Sequence, residues 1–193
     1  MANIPWGKPR LFAFCADEAS DHYNDGKAYE IFTPVEDSTQ LSSEKGDKLE
    51  AKIEGGENED VKYKRSTYSL AFNIRKAKGR RAPFPSEDGV VNDHYGILLM
   101  PEDDTTEGFL IEKNTASIDD TFTAGDGAIW NCQLEAVKPE EGDTVKWGRV
   151  QVSNGKVLFT ERSSVENGGT AVTKEYTLAT GNDGGCPTAG KVG

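Results

Sequence analysis

The chain has 193 residues and carries 33 acidic against 22 basic side chains, a net charge of −11. Such a surface repels phosphate backbones and anionic membranes, so wrapping of nucleic acid and docking to a membrane are not expected. The length suits one domain with a real core, and the apolar residues are patterned enough to argue against disorder.

No apolar stretch approaches the roughly 18 residues that span a bilayer. The longest is Ile97-Leu98-Leu99-Met100. Met1 to Trp6 lacks a basic region followed by an apolar run, so no secretory signal is expected. Cys15, Cys132 and Cys186 are an odd, widely spaced set, which implies neither a disulfide framework nor a metal motif and suits a reducing cytoplasm.

In chain order, Leu11 to Phe14 is a short apolar start, and Ala28 to Val35 is rich in aromatic and β-branched residues. The stretch Pro34 to Lys48 reads as a long polar loop. Lys48 to Glu54 alternates, with Leu49, Ala51 and Ile53 on one face and Glu50, Lys52 and Glu54 on the other. Gly55 to Asp60 is a turn cluster. Thr67 to Lys76 alternates most clearly, setting Tyr68, Leu70, Phe72 and Ile74 against Ser69, Ala71, Asn73 and Arg75. These two runs suggest a hairpin with a long loop.

Ala77 to Gly89 is a loop next to a basic cluster of Lys76, Lys78, Arg80 and Arg81. Tyr95 to Met100 reads as a buried strand. Glu102 to Glu107 suits one helical turn. Phe109 to Glu112 and Thr115 to Phe122 read as strands joined by Lys113-Asn114. Gly125-Asp126-Gly127 is a tight turn. Ala128 to Val137 places Trp130, Cys132 and Leu134 opposite Asn131, Gln133 and Glu135. Val145 to Val152 and Lys156 to Thr160 flank Asn154-Gly155, a hairpin signal.

The expected fold is therefore all-β, a β-sandwich or barrel of about 8–10 strands with at most one short helix. Residues 1–178 form one domain, and the glycine-rich residues 179–193 read as a flexible tail. There is no internal repeat.

Catalytic and cofactor signals fail on inspection. Gly185 to Lys191 imitates a phosphate loop but continues with Val192 where Ser or Thr should bind magnesium. Asp21 to Gly26 resembles a calcium loop, yet Tyr23 occupies a ligand position. His22 and His94 have no partner at metal or triad spacing. Paired carboxylates mean little among so many acids. No enzyme activity and no cofactor or metal is expected.

Several segments carry a resemblance. They are Glu44 to Lys52, Glu54-Gly55-Gly56-Glu57, Tyr68 to Ile74, Leu98 to Asp103, Ser117 to Phe122, Ala128-Ile129-Trp130 and Val145 to Gly148. Across residues 28 to 152 their order resembles phage-type major tail tube proteins, a family related to contractile-injection and type VI secretion tubes.

That resemblance implies a virion structural protein, made in a bacterial cytoplasm and located in the tail. Its partners would be copies of itself in hexameric rings, which stack into a tube, and other tail proteins. Genome DNA would pass through the tube without specific binding. In that frame Glu50, Glu54, Asn131, Gln133 and Glu135 are candidates to face the lumen. Asp37, Ser38, Gln40, Ser43, Glu44 and Lys45 are candidates for a loop reaching the next ring. Lys76, Lys78, Arg80 and Arg81 are candidates for contact with an acidic neighbour. The alternatives are another self-assembling β-protein (a secretion tube, connector or fibre component) or a carbohydrate-binding β-sandwich. Trp130 and Trp147 lie within strands and are expected in the core rather than in a sugar groove.

Overall fold

A computed structural model describes residues 7–103, 105–162, 172–179 and 183–187. Twelve strands follow in chain order: β1 (Arg10–Cys15), β2 (Lys27–Ile31), β3 (Gln40–Glu44), β4 (Lys48–Lys52), β5 (Asn58–Tyr63) and β6 (Thr67–Arg75), then β7 (Val90–Met100), β8 (Gly108–Thr123), β9 (Gly127–Ala136), β10 (Lys146–Ser153), β11 (Lys156–Glu161) and β12 (Thr173–Leu178). The fold is all-β, and among the described residues no helix is long and apolar enough to cross a membrane.

Ten strands form one sheet in the order β10, β11, β12, β2, β1, β7, β8, β9, β6, β3. The first seven close on themselves, because β10 also pairs with the start of β8: Lys146 lies opposite Leu110 and Gly148 opposite Gly108. The later part of β8 turns instead to β9, from Asn114 opposite Ala136 to Thr123 opposite Gly127. One long strand thus belongs to a closed barrel at one end and to an open sheet of β8, β9, β6 and β3 at the other.

Alternation along the strands feeds two cores. Phe12, Leu98, Leu110, Val150, Val157 and Phe159 fill the barrel interior. The opposite faces of β1 and β7, carrying Leu11, Ala13 and Ile97, pack against Leu70, Phe72, Ile74, Cys132 and Leu134 of the open sheet. The β1 and β7 layer is therefore apolar on both faces, as a buried central sheet must be. Tyr29 donates its hydroxyl to the Pro83 carbonyl at 2.6 Å, and Phe84 packs on Tyr95 at 4.8 Å between ring centres. These contacts draw the 77–89 loop over the second core.

Several strand expectations need revision. Lys48–Lys52 does not pair with Thr67–Arg75. It pairs with Asn58–Tyr63, part of which reads as a turn in the sequence. Gln40–Glu44, inside the expected long loop, is a strand along β6. The β8 residues form one continuous strand through Lys113-Asn114. No helical turn forms at Glu102 to Glu107 among the described residues. Trp147 is 41% exposed, with an edge-on contact to Phe109, rather than in the core.

The expected flexible tail is revised in part. Gly184, Gly185 and Cys186 are buried, and Arg81 holds this segment through Asp183 at 2.9 Å and the Cys186 carbonyl at 2.6 Å. Residues 180–182 and 188–193 lie outside the described residues.

Candidate assembly surfaces

The open sheet has one apolar face and one polar face. Its polar face is assembled by register. Ser42, Ser69, Glu135 and Thr115 form one cross-strand row; Gln40, Ala71, Gln133 and Ser117 form the next. Asn73, Asn131 and Asp119 form a third, where the Asn131 amide donates to Thr121 Oγ1 at 3.0 Å. These side chains are exposed or half-buried. The result is a broad surface of short, mostly uncharged polar groups with only scattered charges at Glu44, Arg75, Asp119 and Glu135.

Asn131, Gln133 and Glu135 thus share a solvent-facing surface, as their alternation requires. Glu50 and Glu54 do not belong to it. Glu50 lies on β4, in a separate two-stranded sheet, and Glu54 lies in the turn beyond it. Alternation identifies which residues share a strand face, but it does not say which sheet a strand joins.

That second sheet is an arm. Every residue of β4 and β5 is exposed. Leu49 and Tyr63 are each 53% exposed, and Ile53 and Val61 are also open to solvent. Leu49 lies opposite Lys62, and Val61 opposite Glu50, so both arm faces mix apolar and charged groups. Lys48 and Lys52 both pair with Glu50, whose carboxyl is held below its usual range chiefly by the bond from Lys48. An isolated two-stranded hairpin is marginally stable in water, and among the described residues no layer covers this arm.

The candidate inter-ring residues divide three ways. Asp37 and Ser38 sit in a tight turn with Asp37 at φ 56°. Ser38 donates its hydroxyl to the Val35 carbonyl at 2.6 Å and accepts the Asn73 N–H at 3.2 Å. Gln40, Ser43 and Glu44 are on β3, the terminal strand of the large sheet. Lys45 stands at the arm root with its ammonium 4.1 Å above the Tyr63 ring. A free loop over 34–48 is therefore replaced by a bound turn, an edge strand and the start of an arm.

Most of the basic cluster is used within the chain. Lys76 pairs with Asp120 at 2.8 Å and lies over Trp130. Arg80 lies 4.5 Å above the Phe32 ring and donates to the Arg75 carbonyl. Arg81 holds Asp183 and Cys186. Lys78 alone is exposed without such a contact among the described residues. These cations fasten a loop, which leaves little charge for an acidic neighbour.

Chemistry-bearing groups are placed structurally. Among the described residues no cluster of three or more His, Cys, Asp or Glu suits a metal ion. The Asp21 to Gly26 segment is a turn in which His22 Nδ1 contacts Asp93 at 3.2 Å. Ser20 donates to that same carboxylate rather than to the imidazole, so no nucleophile and base pair forms. His94 Nδ1 lies 2.8 Å from Asp17. An open cleft of about 630 Å³ lies between Thr105–Glu107 and the β10–β11 strands, lined by Arg149, Gln151, Thr160 and Arg162 among others. Among the described residues its lining contains no aromatic ring, the usual platform for a sugar. Of the segment that imitates a phosphate loop, Gly185 to Pro187 are seated beside Arg81, and Thr188 to Lys191 lie outside the described residues.

No protein-family model matches the chain, and no curated protein matches it at a significant level.

Proposed function

We propose that this chain is a structural subunit that assembles with copies of itself into rings, and that the rings stack into a hollow, tail-tube-like conduit for DNA. One observation carries the reading. The open sheet has a core on one face, a polar face on the other, and an edge strand, β3, whose outer side is unpaired among the described residues. An unpaired edge is a template for pairing with another chain. Ring closure satisfies it where β3 meets a neighbour's β8 beyond Ile118, the stretch of that strand's second edge that β7 leaves unpaired among the described residues.

The dimensions support the idea. Six copies each contributing four strands, at about 4.8 Å spacing, close a wall about 37 Å across its backbone with upright strands and about 48 Å across at a barrel-like tilt of about 40°. Inward side chains take about 5 Å on each side, half the usual distance between packed sheets. The remaining bore, about 27 to 38 Å, is wide enough to pass a nucleic-acid duplex. A lining mostly of Ser, Thr, Asn, Gln and Ala, with three carboxylates and one arginine per copy, offers no array of cations to hold phosphates, so DNA slides through. The subunit resides in a virion tail on this reading, and the work is mechanical rather than catalytic.

A pair of proline variants tests it. Alternate residues of a strand direct their N–H groups to opposite edges. Of Ser42→Pro and Ser43→Pro, one therefore removes a bond to β6 and the other blocks only the outer edge. Sedimentation velocity should show wild-type chain in large assemblies, and the edge-blocked variant folded but small. Equal assembly by both variants contradicts ring closure through β3.

A further inference from the structure

The arm separates its charge along its length. Residues 50–60, the outer part, carry five carboxylates against one lysine. Residues 45–49 and 61–65, the root, carry five cations against one carboxylate. Within the tip, Glu50 is neutralised by its lysines and Asp60 lies 3.4 Å from Lys62. Glu54, Glu57 and Glu59 have no ion pair among the described residues and are exposed. At the root, Lys64 pairs with Asp47 at 3.0 Å, whereas Lys45 and Arg65 contact only a ring and a backbone carbonyl.

A solitary hairpin with edges unpaired among the described residues, exposed Leu49, Ile53, Val61 and Tyr63, and opposite charge at its two ends is incomplete. A second copy of this chain supplies the complement. Its root offers cations for the tip, and its apolar side chains cover the mixed faces.

We infer that the arm is a polar connector between copies of this chain, in which the acidic tip of one arm seats against the basic root of another. This deepens the self-assembly reading and rests on it. Because exposed pairs dominate, the contact is salt-sensitive and sets the direction in which copies meet.

Charge exchange provides the test. A tip variant combines Glu54→Lys, Glu57→Lys and Glu59→Lys. A root variant combines Lys45→Glu, Lys62→Glu and Arg65→Glu. A third chain carries all six substitutions. Near-ultraviolet circular dichroism checks that the core, against which the arm strands do not pack, is unchanged. Sedimentation velocity at low salt should show each three-residue variant associating about tenfold more weakly than wild type, the scale of a few exposed ion pairs. The six-residue chain should regain association, as should an equimolar mixture of the tip and root variants. Wild-type association should weaken as salt rises.

Undiminished association by the three-residue variants, failure of the six-residue chain to recover, or association that strengthens with salt overturns the connector and leaves the self-assembly reading standing. A wild-type chain that stays monomeric at every salt and protein concentration overturns both.

Discussion

Asn114 donates its side-chain amide to the backbone carbonyl of Tyr95 at 2.9 Å, and it does so where β8 exchanges one partner sheet for another. The register between β7 and β8 slips beside this point, so that Tyr95 opposes Asn114 while Ile97 opposes Ile111. A slip of this kind leaves a backbone group without its ladder partner. Asn114, fully buried, gives Tyr95 a replacement bond. The fork between barrel and open sheet thus depends on one polar side chain in the interior.

Replacing Asn114 with Ala should therefore destabilise the fold by about 2 kcal/mol, the cost of an orphaned buried carbonyl and lost packing. Urea unfolding of the isolated chain checks this. An unchanged midpoint would mean that the fork closes without it.

Acid stability should depend on Asp17. Burial pushes its carboxyl upward, but bonds from the His94 backbone and ring and from Lys113 outweigh it, holding the group below its ordinary range. A carboxyl depressed on folding contributes stability that is fully present above its unfolded value, about 3.9, and is lost as pH falls through its folded value. Stability should decline below about pH 4, and Asp17→Asn should reduce that decline. Denaturant titrations of both chains between neutral and acid pH measure the difference.

The three thiols should be silent in the folded protein. All are buried. Burial raises Cys15, pushes Cys132 up to about 12, and pushes Cys186 up to about 11. Thiolate, the reactive form, is scarce under these conditions. A thiol reagent at mildly alkaline pH should label none of them rapidly until denaturant is added. Rapid labelling of Cys186 alone would mean that residues 183–187 leave their seat beside Arg81.

The polar face offers a functional prediction. Ser117 and Gln133 lie directly opposite each other on β8 and β9. The double variant Ser117→Lys with Gln133→Lys should change stability by less than about 0.5 kcal/mol in the subunit, because both sites are exposed. In assembled tubes it should place rings of cations in the bore. Short duplex DNA should then be retained and protected from nuclease, whereas wild-type tubes release it. Retention without protection would place this face on the outside.

Much of the sheet is legible in the sequence because burial writes itself as alternation. Leu70, Phe72 and Ile74 on β6 and Cys132 and Leu134 on β9 face the core as their spacing demands. Asn154 and Gly155, at φ 50° and 73°, make the turn that their dipeptide announces. β3 and β5 leave no such trace. β3 packs only Leu41 at an edge, and β5 packs against no layer, so neither needs an apolar stripe. Alternation misplaces Glu50 for a related reason: its strand alternates convincingly, yet the partner strand decides what its faces meet. The retention of Cys186 by Arg81 joins residues 105 apart in sequence, a separation that no local pattern reports.

The central claim is tested most directly by negative-stain electron microscopy of the purified chain at high concentration and low salt. The expected result is rings or hollow tubes with a central bore of about 25–40 Å, set by the strand spacing and tilt of a closed wall. Small particles of single-chain size, persisting across salt and concentration, would contradict it.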